Sequence, residues 1–217
     1  MRVPANRMAW ARRLLDRGRA RSDSKQTWAA LREAASHCRE CPLGARATQT
    51  VWGEGPLPGR LMVVGEQPGD REDLAGRPFV GPAGRLLDQA IAALGWRREA
   101  VYVTNAVKHF SFELRGKRRL HKTPGQLEIL ACRHWLESEI AAVAPAAIVA
   151  LGRVAASALL GRPIKVMSER GYWLKRDDGI AVLITLHPSA LLRGDPAARE
   201  QAFRTWLADL SAATQHV

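Results

Sequence analysis

The sequence predicts an α/β fold, a three-layer α/β/α sandwich around a central, mostly parallel sheet of four strands. Four short apolar runs are typical of strands that are buried on both faces: "LMVVG", "VYVTNAV", "AAIVALG" and "IAVLITL". Helical patterns separate these runs. Strands that alternate with helices indicate parallel pairing through right-handed crossovers.

Each predicted helix spaces its apolar residues so that they share one face. One such pattern, "TWAALREAASHC", precedes the first strand, and the Gly/Pro loop "GEGPLPG" (Gly53–Gly59) lies between them. The later helical patterns are "AGRLLDQAIAALG", "TPGQLEILACRHWLESEIAAV", "RVAASALLG" and "PAAREQAFRTWLADLSAA". The order of elements therefore contains every crossover helix that a parallel sheet needs.

Length and charge narrow the classes of protein. The 217 residues fit one large domain or two small ones, and every apolar run is shorter than the ~20 residues that a membrane span requires. The formal net charge is +12 at pH 7. Such an excess of cations points to a polyanionic partner, either nucleic acid or an anionic membrane surface.

Half of this excess charge lies at the amino terminus. The first 25 residues contain eight Lys or Arg and only two Asp. A segment that is rich in Arg and poor in acids is typical of a targeting peptide, a nucleic-acid-binding arm or a disordered tail. We predict a basic, flexible arm without a catalytic role over residues 1–25, followed by one domain over residues 26–217.

Polar side chains follow three of the predicted strands. Glu66 comes directly after the first strand, Asn105 ends the second, and His187 follows the fourth. In open α/β sheets the ligand binds outside the carboxyl ends of the strands, so these side chains should meet in one crevice. The first strand is not followed by a Gly-x-Gly-x-x-Gly or Walker-type loop, which disfavours a dinucleotide enzyme.

The three cysteines suggest a metal site. Cys38 and Cys41 form a Cys-x-x-Cys pair, and Cys132 lies far along the chain in a predicted helix. Few cysteines in an odd number argue against a disulfide framework and for a reducing compartment. The pair alone is compatible with a redox site, half a metal site or two buried residues. A fourth ligand would be His109 or His134, and spacing leaves zinc and iron–sulfur equally open.

The stretch "RGKRRLHKTP" (Arg115–Pro124) is the most basic part of the predicted domain. Five of its ten residues are Lys or Arg, and His121 lies among them. By composition it is a solvated loop with an incidental histidine. Two other functions remain open, namely a phosphate clamp and a loop in which His121 takes part in chemistry.

Five ordered motifs resemble the uracil-DNA glycosylase superfamily. They are "GEQPGDREDLAGRPFVGPAGRLLDQAI", "VYVTNAVKHF", "KRRLHKTP", "ACRHWLESEI" and "LHPSALLRG", and the resemblance spans about residues 30–213. The chain is most similar to the iron–sulfur branch, and within it to the UdgX type, which is distinguished by the insert containing "KRRLH". The resemblance implies the fold predicted above and a cytoplasmic, monomeric protein that acts on DNA without a membrane.

The resemblance also implies roles for the residues that match each motif. The uracil-binding residues would be Gln67, Asp70, Phe79, Asn105 and His187, with Phe79 stacking on the base and Asn105 reading its edge. The cluster ligands of a [4Fe–4S] cofactor would be Cys38, Cys41, Cys132 and His109, where most of the branch has Cys in place of His109. The DNA-binding residues would be Lys117, Arg118, Arg119, Lys122, Ser189 and Arg193.

The chemistry implied is excision of uracil from DNA, preferably single-stranded, followed by covalent trapping. Glu66, His187 and His121 are the expected catalytic residues: Glu66 stabilises the sugar, His187 hydrogen-bonds the departing uracil, and His121 attacks the sugar. We expect the Lys and Arg residues around His121 to keep its imidazole neutral. Two alternatives are a glycosylase that turns over freely, with "KRRLH" only gripping phosphates, and a non-catalytic DNA-binding protein with a structural zinc.

Overall fold

The computed structural model describes residues 24–217, and of residues 24–27 it describes the backbone alone. Residues 1–23 of the predicted basic arm lie outside this part of the chain. The strands are, in chain order, β1 (Leu61–Gly65), β2 (Val101–Asn105), β3 (Phe112–Arg115), β4 (Arg118–His121), β5 (Ala147–Leu151), β6 (Trp173–Lys175) and β7 (Ala181–Thr185).

Nine α-helices accompany these strands within the described residues. They are α1 (Ser24–Ser36), α2 (Pro42–Arg46), α3 (Asp70–Ala75), α4 (Pro82–Ala93), α5 (Gln126–Val143), α6 (Gly152–Leu160), α7 (Val166–Glu169), α8 (Pro188–Arg193) and α9 (Arg199–Ser211). Short 3-10 turns cover Arg98–Ala100, Pro196–Ala198 and Thr214–His216. All five long helices predicted from apolar spacing are present: α1, α4, α5, α6 and α9.

The central sheet has the strand order β2-β1-β5-β7-β6. Strands β2, β1, β5 and β7 pair in parallel, as predicted, and β6 pairs antiparallel with β7 at one edge. The expected count of four strands therefore becomes five. The additional strand is three residues long and only partly buried, so it has no apolar run by which sequence could reveal it.

Both faces of the sheet are buried, which makes the fold three-layered. Leu61 and Val63 face one way and pack with residues of α4 and α9, including the fully buried Trp206. Met62 and Val64 face the other way and pack with residues of α5 and α6. Because successive strand residues point to opposite faces, strands covered on both sides must be apolar throughout. The predicted sandwich is confirmed.

Strands β3 and β4 form a separate antiparallel hairpin from the stretch that composition assigned to a loop. Phe112 pairs with His121, and Leu114 pairs with Arg119, so these four side chains share one face of the hairpin. Gly116 makes the turn with a φ of +61°, a conformation that favours glycine. His121 is thus the last residue of a strand rather than a member of a mobile loop.

No helix within residues 24–217 combines the length and the apolar character needed to cross a membrane.

Candidate active site at the carboxyl edge of the sheet

The carboxyl ends of β1 and β2 bring Asn105 and Phe79 together. Gly65 ends β1 opposite Asn105. A Cβ atom on Gly65 would overlap Asn105 Oδ1 and would lie 2.7 Å from Phe79 Cζ, so only glycine leaves room for both groups. The Phe79 ring lies nearly parallel to the His187 imidazole, with their centroids 6.5 Å apart. Asn105 and His187, two of the three residues predicted for one crevice, therefore meet there with Phe79.

The backbone around Phe79 is held in an unusual conformation. Phe79 has a φ of +56°, a left-handed value that is uncommon for any residue but glycine. The buried Glu72 carboxylate accepts hydrogen bonds from the backbone N–H of Gly69 (3.2 Å) and of Gly81 (2.7 Å), one on each side of the segment. These bonds fix the turn that presents the Phe79 ring to the crevice.

Glu66 has an oxygen without a hydrogen-bond partner at the end of β1. Its Oε1 atom is buried and accepts no hydrogen bond in the described part of the chain. The nearest cation-forming group is His121, with Nε2 at 3.5 Å from that oxygen. Burial raises the pKa of Glu66, while the charges of Arg153 and Arg193 act in the opposite direction. The carboxylate is therefore positioned without being neutralised by a direct ion pair with arginine.

His121 lies next to Glu66 at the end of β4, with its side chain half exposed. Partial burial lowers the pKa of its imidazole, and the charge of Arg193 lowers it further. The imidazole is consequently neutral near pH 7. The predicted cause was different, because the hairpin's own Lys and Arg residues are not among the groups that lower this pKa. Arg193 replaces them as the charge that matters.

Two side chains hold the hairpin against the body of the protein. The Gln67 amide donates to the backbone oxygens of Ser111 and Lys122, both at 3.1 Å, and its oxygen accepts from the Ser111 N–H at 3.0 Å. Arg119 donates to Asp70 and Asp73, both at 2.6 Å, and its guanidinium lies over the rings of Phe110 and Phe112. These contacts therefore hold both ends of β4 against the rest of the protein.

These contacts change what can be expected of three predicted residues. Arg119 donates from Nε and Nη1 to two carboxylates and to Thr48, so it holds the hairpin, while its contact with a DNA phosphate stays a prediction. Asp70 is the exposed partner of that ion pair. The Gln67 side chain is occupied by the hairpin backbone, so a contact between this residue and a base would have to come from its main chain.

His187 is oriented by the residue two positions later. The backbone N–H of Ser189 donates to His187 Nδ1 (3.2 Å), and Ser189 Oγ lies 2.8 Å from the same atom. Nδ1 is therefore an acceptor, and the proton of the neutral imidazole is on Nε2. Burial lowers the pKa of His187 to about 4, with the charges of His121 and Arg193 adding to the effect. The neutral ring can donate one hydrogen bond into the crevice.

The remaining predicted cations surround the crevice on the surface. Lys117, Arg118, Lys122 and Arg193 are all exposed. Sequence reasoning missed Arg153, an exposed residue two positions after the end of β5, whose charge opposes protonation of Glu66. Its position after the third parallel strand was the available signal, since the same edge carries the other site residues.

The cysteines and His109 occupy one region behind the crevice. Cys38 and Cys132 are buried and Cys41 is partly buried. A Cβ atom on Gly44 would lie 2.5 Å from the Cys38 oxygen and 3.3 Å from His109 Cε1, so glycine permits α2 to approach both. The Lys108 N–H donates to Cys132 Sγ (3.1 Å), and the Trp135 indole N–H donates to Cys38 Sγ (3.3 Å).

The two candidate ligands, His109 and His134, differ in the contacts of their ring nitrogens. His109 Nε2 bonds to Thr50 Oγ1 at 2.9 Å, while its buried Nδ1 has no hydrogen-bond partner among the described residues. His134 instead places Nδ1 2.9 Å from the Ala131 oxygen and Nε2 3.5 Å from Glu40. The unsatisfied Nδ1 makes His109 the candidate ligand, because a buried polar atom without a partner is costly unless a ligand fills the vacancy.

The types of these donors, rather than their arrangement, are what suits an iron–sulfur cluster. Within residues 24–217 no three His, Cys, Asp or Glu side chains are arranged to hold one metal ion. Burial raises the pKa of Cys132 to about 12 and also raises that of Cys41, so these groups are thiols unless a metal stabilises the thiolate. Three sulfur donors, one imidazole nitrogen and N–H groups aimed at two of the sulfurs match iron–sulfur ligation.

Comparison with known proteins decides the family. Residues 52–211 match the family model described as "Uracil DNA glycosylase superfamily". The chain belongs to this superfamily.

Curated relatives in the superfamily cover most of the chain. A Type-4 uracil-DNA glycosylase of Thermotoga maritima is 41% identical over 162 residues, which are 74% of this chain and 81% of the relative. A Type-4 uracil-DNA glycosylase of Pyrobaculum aerophilum is 40% identical, over 78% of this chain and 86% of the relative. A Type-5 uracil-DNA glycosylase of the same organism is 31% identical, over 69% and 72%. The superfamily implied by the five motifs is confirmed.

A buried ion pair that the sequence analysis missed lies between the two sites of this superfamily member. Lys108 Nζ is 2.5 Å from Glu139 Oε2, and both side chains are fully buried. Two signals were available. Lys108 interrupts an apolar run after β2, and Glu139 falls in helical phase with the buried Leu136, Ile140 and Val143 of α5.

The first prediction concerns Gly84, which lets α4 pass the Phe79 backbone. A Cβ atom here would overlap the Phe79 carbonyl, so Gly84→Ala should displace the Phe79 turn and lower the free energy of unfolding by about 1–3 kcal/mol. Urea denaturation measures the stability, and NMR of the Phe79 and His187 rings reports the displacement.

Gly194→Ala is the matched control for this change. Its Cβ atom would meet the nearest atom at an ordinary 3.4 Å, and its backbone φ of −69° suits alanine. We expect a change within about 0.5 kcal/mol. Equal stability of the two variants, with unshifted Phe79 resonances, would contradict the assignment of Gly84 as a steric requirement.

Proposed function

We propose that the protein is a uracil-DNA glycosylase that cleaves the bond between uracil and deoxyribose in DNA. The observation that carries the proposal is the meeting of Asn105, Phe79 and His187 in one crevice beside the Glu66 carboxylate. Five of the curated relatives carry the name Type-4 uracil-DNA glycosylase, which supports the same activity.

Base recognition requires a nucleotide turned out of the helix. Phe79 offers an aromatic face on which the extruded base stacks. The Asn105 side chain has both an N–H donor and an oxygen acceptor, which match the O4 and N3–H groups of uracil. Cytosine presents the reversed pattern and would leave buried polar groups unpaired, at about 1–3 kcal/mol each. The site therefore selects uracil by hydrogen bonding.

Bond cleavage separates charge between base and sugar. Negative charge grows on the uracil oxygen O2, and the Nε2–H of neutral His187 is available to donate to it. Positive charge grows on the sugar, where the free Glu66 oxygen can stabilise it. The electron pair of the C1′–N1 bond leaves with uracil, which takes a proton after release. Each charge thus has a partner on this chain.

The sugar is then captured by His121. Its neutral imidazole donates the lone pair of the unprotonated nitrogen to C1′, and a C1′–N bond replaces the bond that was broken. The other nitrogen keeps its proton, so the product is an alkylated imidazolium next to the Glu66 carboxylate, 3.5 Å from His121 in the free protein. Such a product has no ready route to hydrolysis, which makes the adduct stable.

Phosphate attraction brings DNA to this crevice. The exposed Lys117, Arg118, Lys122 and Arg193, together with the net charge of +12, supply binding that is independent of sequence. Ser189 is the second residue of α8, and a phosphate would compete with His187 Nδ1 for its hydroxyl proton. Single-stranded DNA is the preferred substrate because no base pair has to be broken to extrude the base.

A [4Fe–4S] cluster is the proposed cofactor, held by Cys38, Cys41, Cys132 and His109. The orphaned His109 Nδ1 and the N–H groups directed at Cys38 and Cys132 support this set. When bound, the cluster would tie α2, α5 and the segment after β2 together. The residues assigned to bond cleavage do not include its proposed ligands.

The decisive experiment is a denaturing gel of the protein with a uracil-containing oligonucleotide. We expect a shifted band that survives SDS and heat. His121→Ala should abolish this band, because no other histidine nitrogen in the described chain lies within 4 Å of a Glu66 oxygen, while uracil release continues with water as the nucleophile. Uracil release is measured separately by cleavage of the abasic product with alkali.

Lys117→Ala is the control on the same hairpin. Lys117 is exposed at the hairpin turn, so its loss should weaken DNA binding and leave the adduct intact. Free abasic product without any adduct from the unchanged protein would favour the glycosylase that turns over freely. Adduct formation by His121→Ala would assign the nucleophile to another residue.

The rate of adduct formation should depend on pH through His121. Its pKa lies below the ordinary value of 6.5, so the reactive neutral form prevails at and above that pH. Below the lowered pKa the rate should fall about tenfold per pH unit. Single-turnover adduct formation between pH 4 and 8 tests this dependence. An acid limb centred above pH 6.5 would contradict a neutral, partly buried imidazole.

Metal content tests the cofactor. The purified protein should contain about four iron atoms per chain and show broad visible absorbance. Cys132→Ser and His109→Ala should each lower both signals, and His134→Ala should leave them unchanged. Colourless protein that contains stoichiometric zinc would refute the cluster and favour a structural zinc site.

A further inference from the structure

Lys108 is a charged residue with no contact to solvent. Its ammonium makes three short contacts, to Asn105 O (2.6 Å), Thr104 Oγ1 (2.8 Å) and Glu139 Oε2 (2.5 Å). Its backbone N–H makes a fourth contact, to Cys132 Sγ. A fully buried lysine with every donor used is uncommon, since burying an ammonium is costly unless it is paired and hydrogen-bonded.

The segment from Asn105 to His109 joins the two sites described above. Asn105 lies in the crevice with Phe79, and His109 carries the orphaned nitrogen beside the cysteines. Between them, the Ala106 N–H donates to Gly65 O (2.9 Å) and the Val107 N–H donates to Glu66 O (3.0 Å). These five consecutive residues thus include the base-reading Asn105, bond to the backbone of Gly65 and Glu66, and contact the Cys132 thiol.

We propose that Lys108 is a positioning residue that sets Asn105 for uracil and joins that position to the cysteine site. Its ammonium donates a hydrogen bond to the backbone carbonyl of Asn105, and its backbone N–H donates one to Cys132 Sγ. This inference rests on the proposed function and identifies the residue that holds the Asn105 side-chain amide in position to bind uracil. A charge is required because three acceptors converge on one point, which a neutral side chain of this length cannot satisfy.

Glu139 completes the arrangement from α5. Its carboxylate accepts from Lys108, from Thr104 Oγ1 (2.7 Å), from Tyr102 Oη (3.2 Å) and from the Gly53 N–H (2.8 Å). Replacing a buried ion pair by neutral residues is often harmless to stability, whereas removing one partner is strongly destabilising. Stability and positioning can therefore be separated by comparing single and double variants.

The test compares Lys108→Met with the double variant Lys108→Met/Glu139→Gln. The single change leaves a buried carboxylate without its cation, so it should lower both the melting temperature and the single-turnover rate of uracil release. The double change removes both charges and keeps an amide oxygen for Gly53 and Tyr102. It should regain the melting temperature while the rate stays about 10- to 100-fold low, because Asn105 is no longer held.

The preference for uracil over cytosine is a second measurement, and a loss of stability alone would not change it. Both variants should lose part of the preference for uracil over cytosine, and binding to uracil-free DNA should be unchanged. Recovery of rate and preference together with melting temperature in the double variant would overturn the proposal and leave Lys108 a structural residue. Unchanged rate and preference in the single variant would overturn it as well.

Arg176→Met is the control for loss of an ion pair. Arg176 is 8% exposed and pairs with Glu137 and Asp178 at the turn before β7, which is the opposite end of the sheet from the crevice. It should lower the melting temperature without changing the rate or the base preference of the folded protein. The protein without substitutions is assayed alongside the variants. Absence of uracil release from it would refute the proposed glycosylase function itself, which is a different outcome from failure of the positioning role of Lys108.

Discussion

The rest of the site depends on the hydrogen bonds that the side-chain amide of Gln67 makes to the hairpin backbone. It bonds to the backbone on both arms of the β3–β4 hairpin, at Ser111 and Lys122, from a position directly after β1. An isolated two-stranded hairpin is marginally stable in water, so the hairpin needs such an anchor to keep a fixed position. Because Glu66 precedes Gln67 and His121 precedes Lys122, the same anchor brings the carboxylate and the imidazole together.

Arg119 fixes the orientation of the hairpin that Gln67 anchors. It lies on the same hairpin face as His121, two residues earlier, and its guanidinium reaches the buried Asp73 and the exposed Asp70. A planar guanidinium that also stacks on Phe110 and Phe112 has few orientations available. The strand is thus held against rotation, and the His121 side chain points to the body of the protein.

Sequence reasoning was strongest where one physical rule determined the outcome. Parallel strands end at one edge, so Glu66, Asn105 and His187 could be assigned to one crevice before any contact was known. Burial on both faces likewise made the four parallel strands visible as apolar runs. The three-residue strand β6 lacked that signature because it lies at an edge and is partly exposed.

Long-range pairing explains what the sequence could not reveal. The ten residues from Arg115 to Pro124 look alike by composition, yet Arg119 is tied to Asp70 and Asp73 while Lys117 and Arg118 remain exposed. The partners are more than forty residues away, so no local pattern distinguishes these cations. The same holds for Lys108 and Glu139, which are 31 residues apart in sequence and adjacent only in the folded core.

The space beside Glu66 determines how the proposed reaction ends. A carboxylate at this position can orient a water molecule toward the sugar, which gives hydrolysis and release. Here the nearest cation-forming group to the free Glu66 oxygen is the His121 imidazole, at the end of the anchored hairpin. A nucleophile fixed at the reacting carbon has a large entropic advantage over water that must diffuse in. In the proposed reaction, trapping and turnover therefore differ by the occupant of one position, which is either a water molecule or the hairpin histidine of this chain.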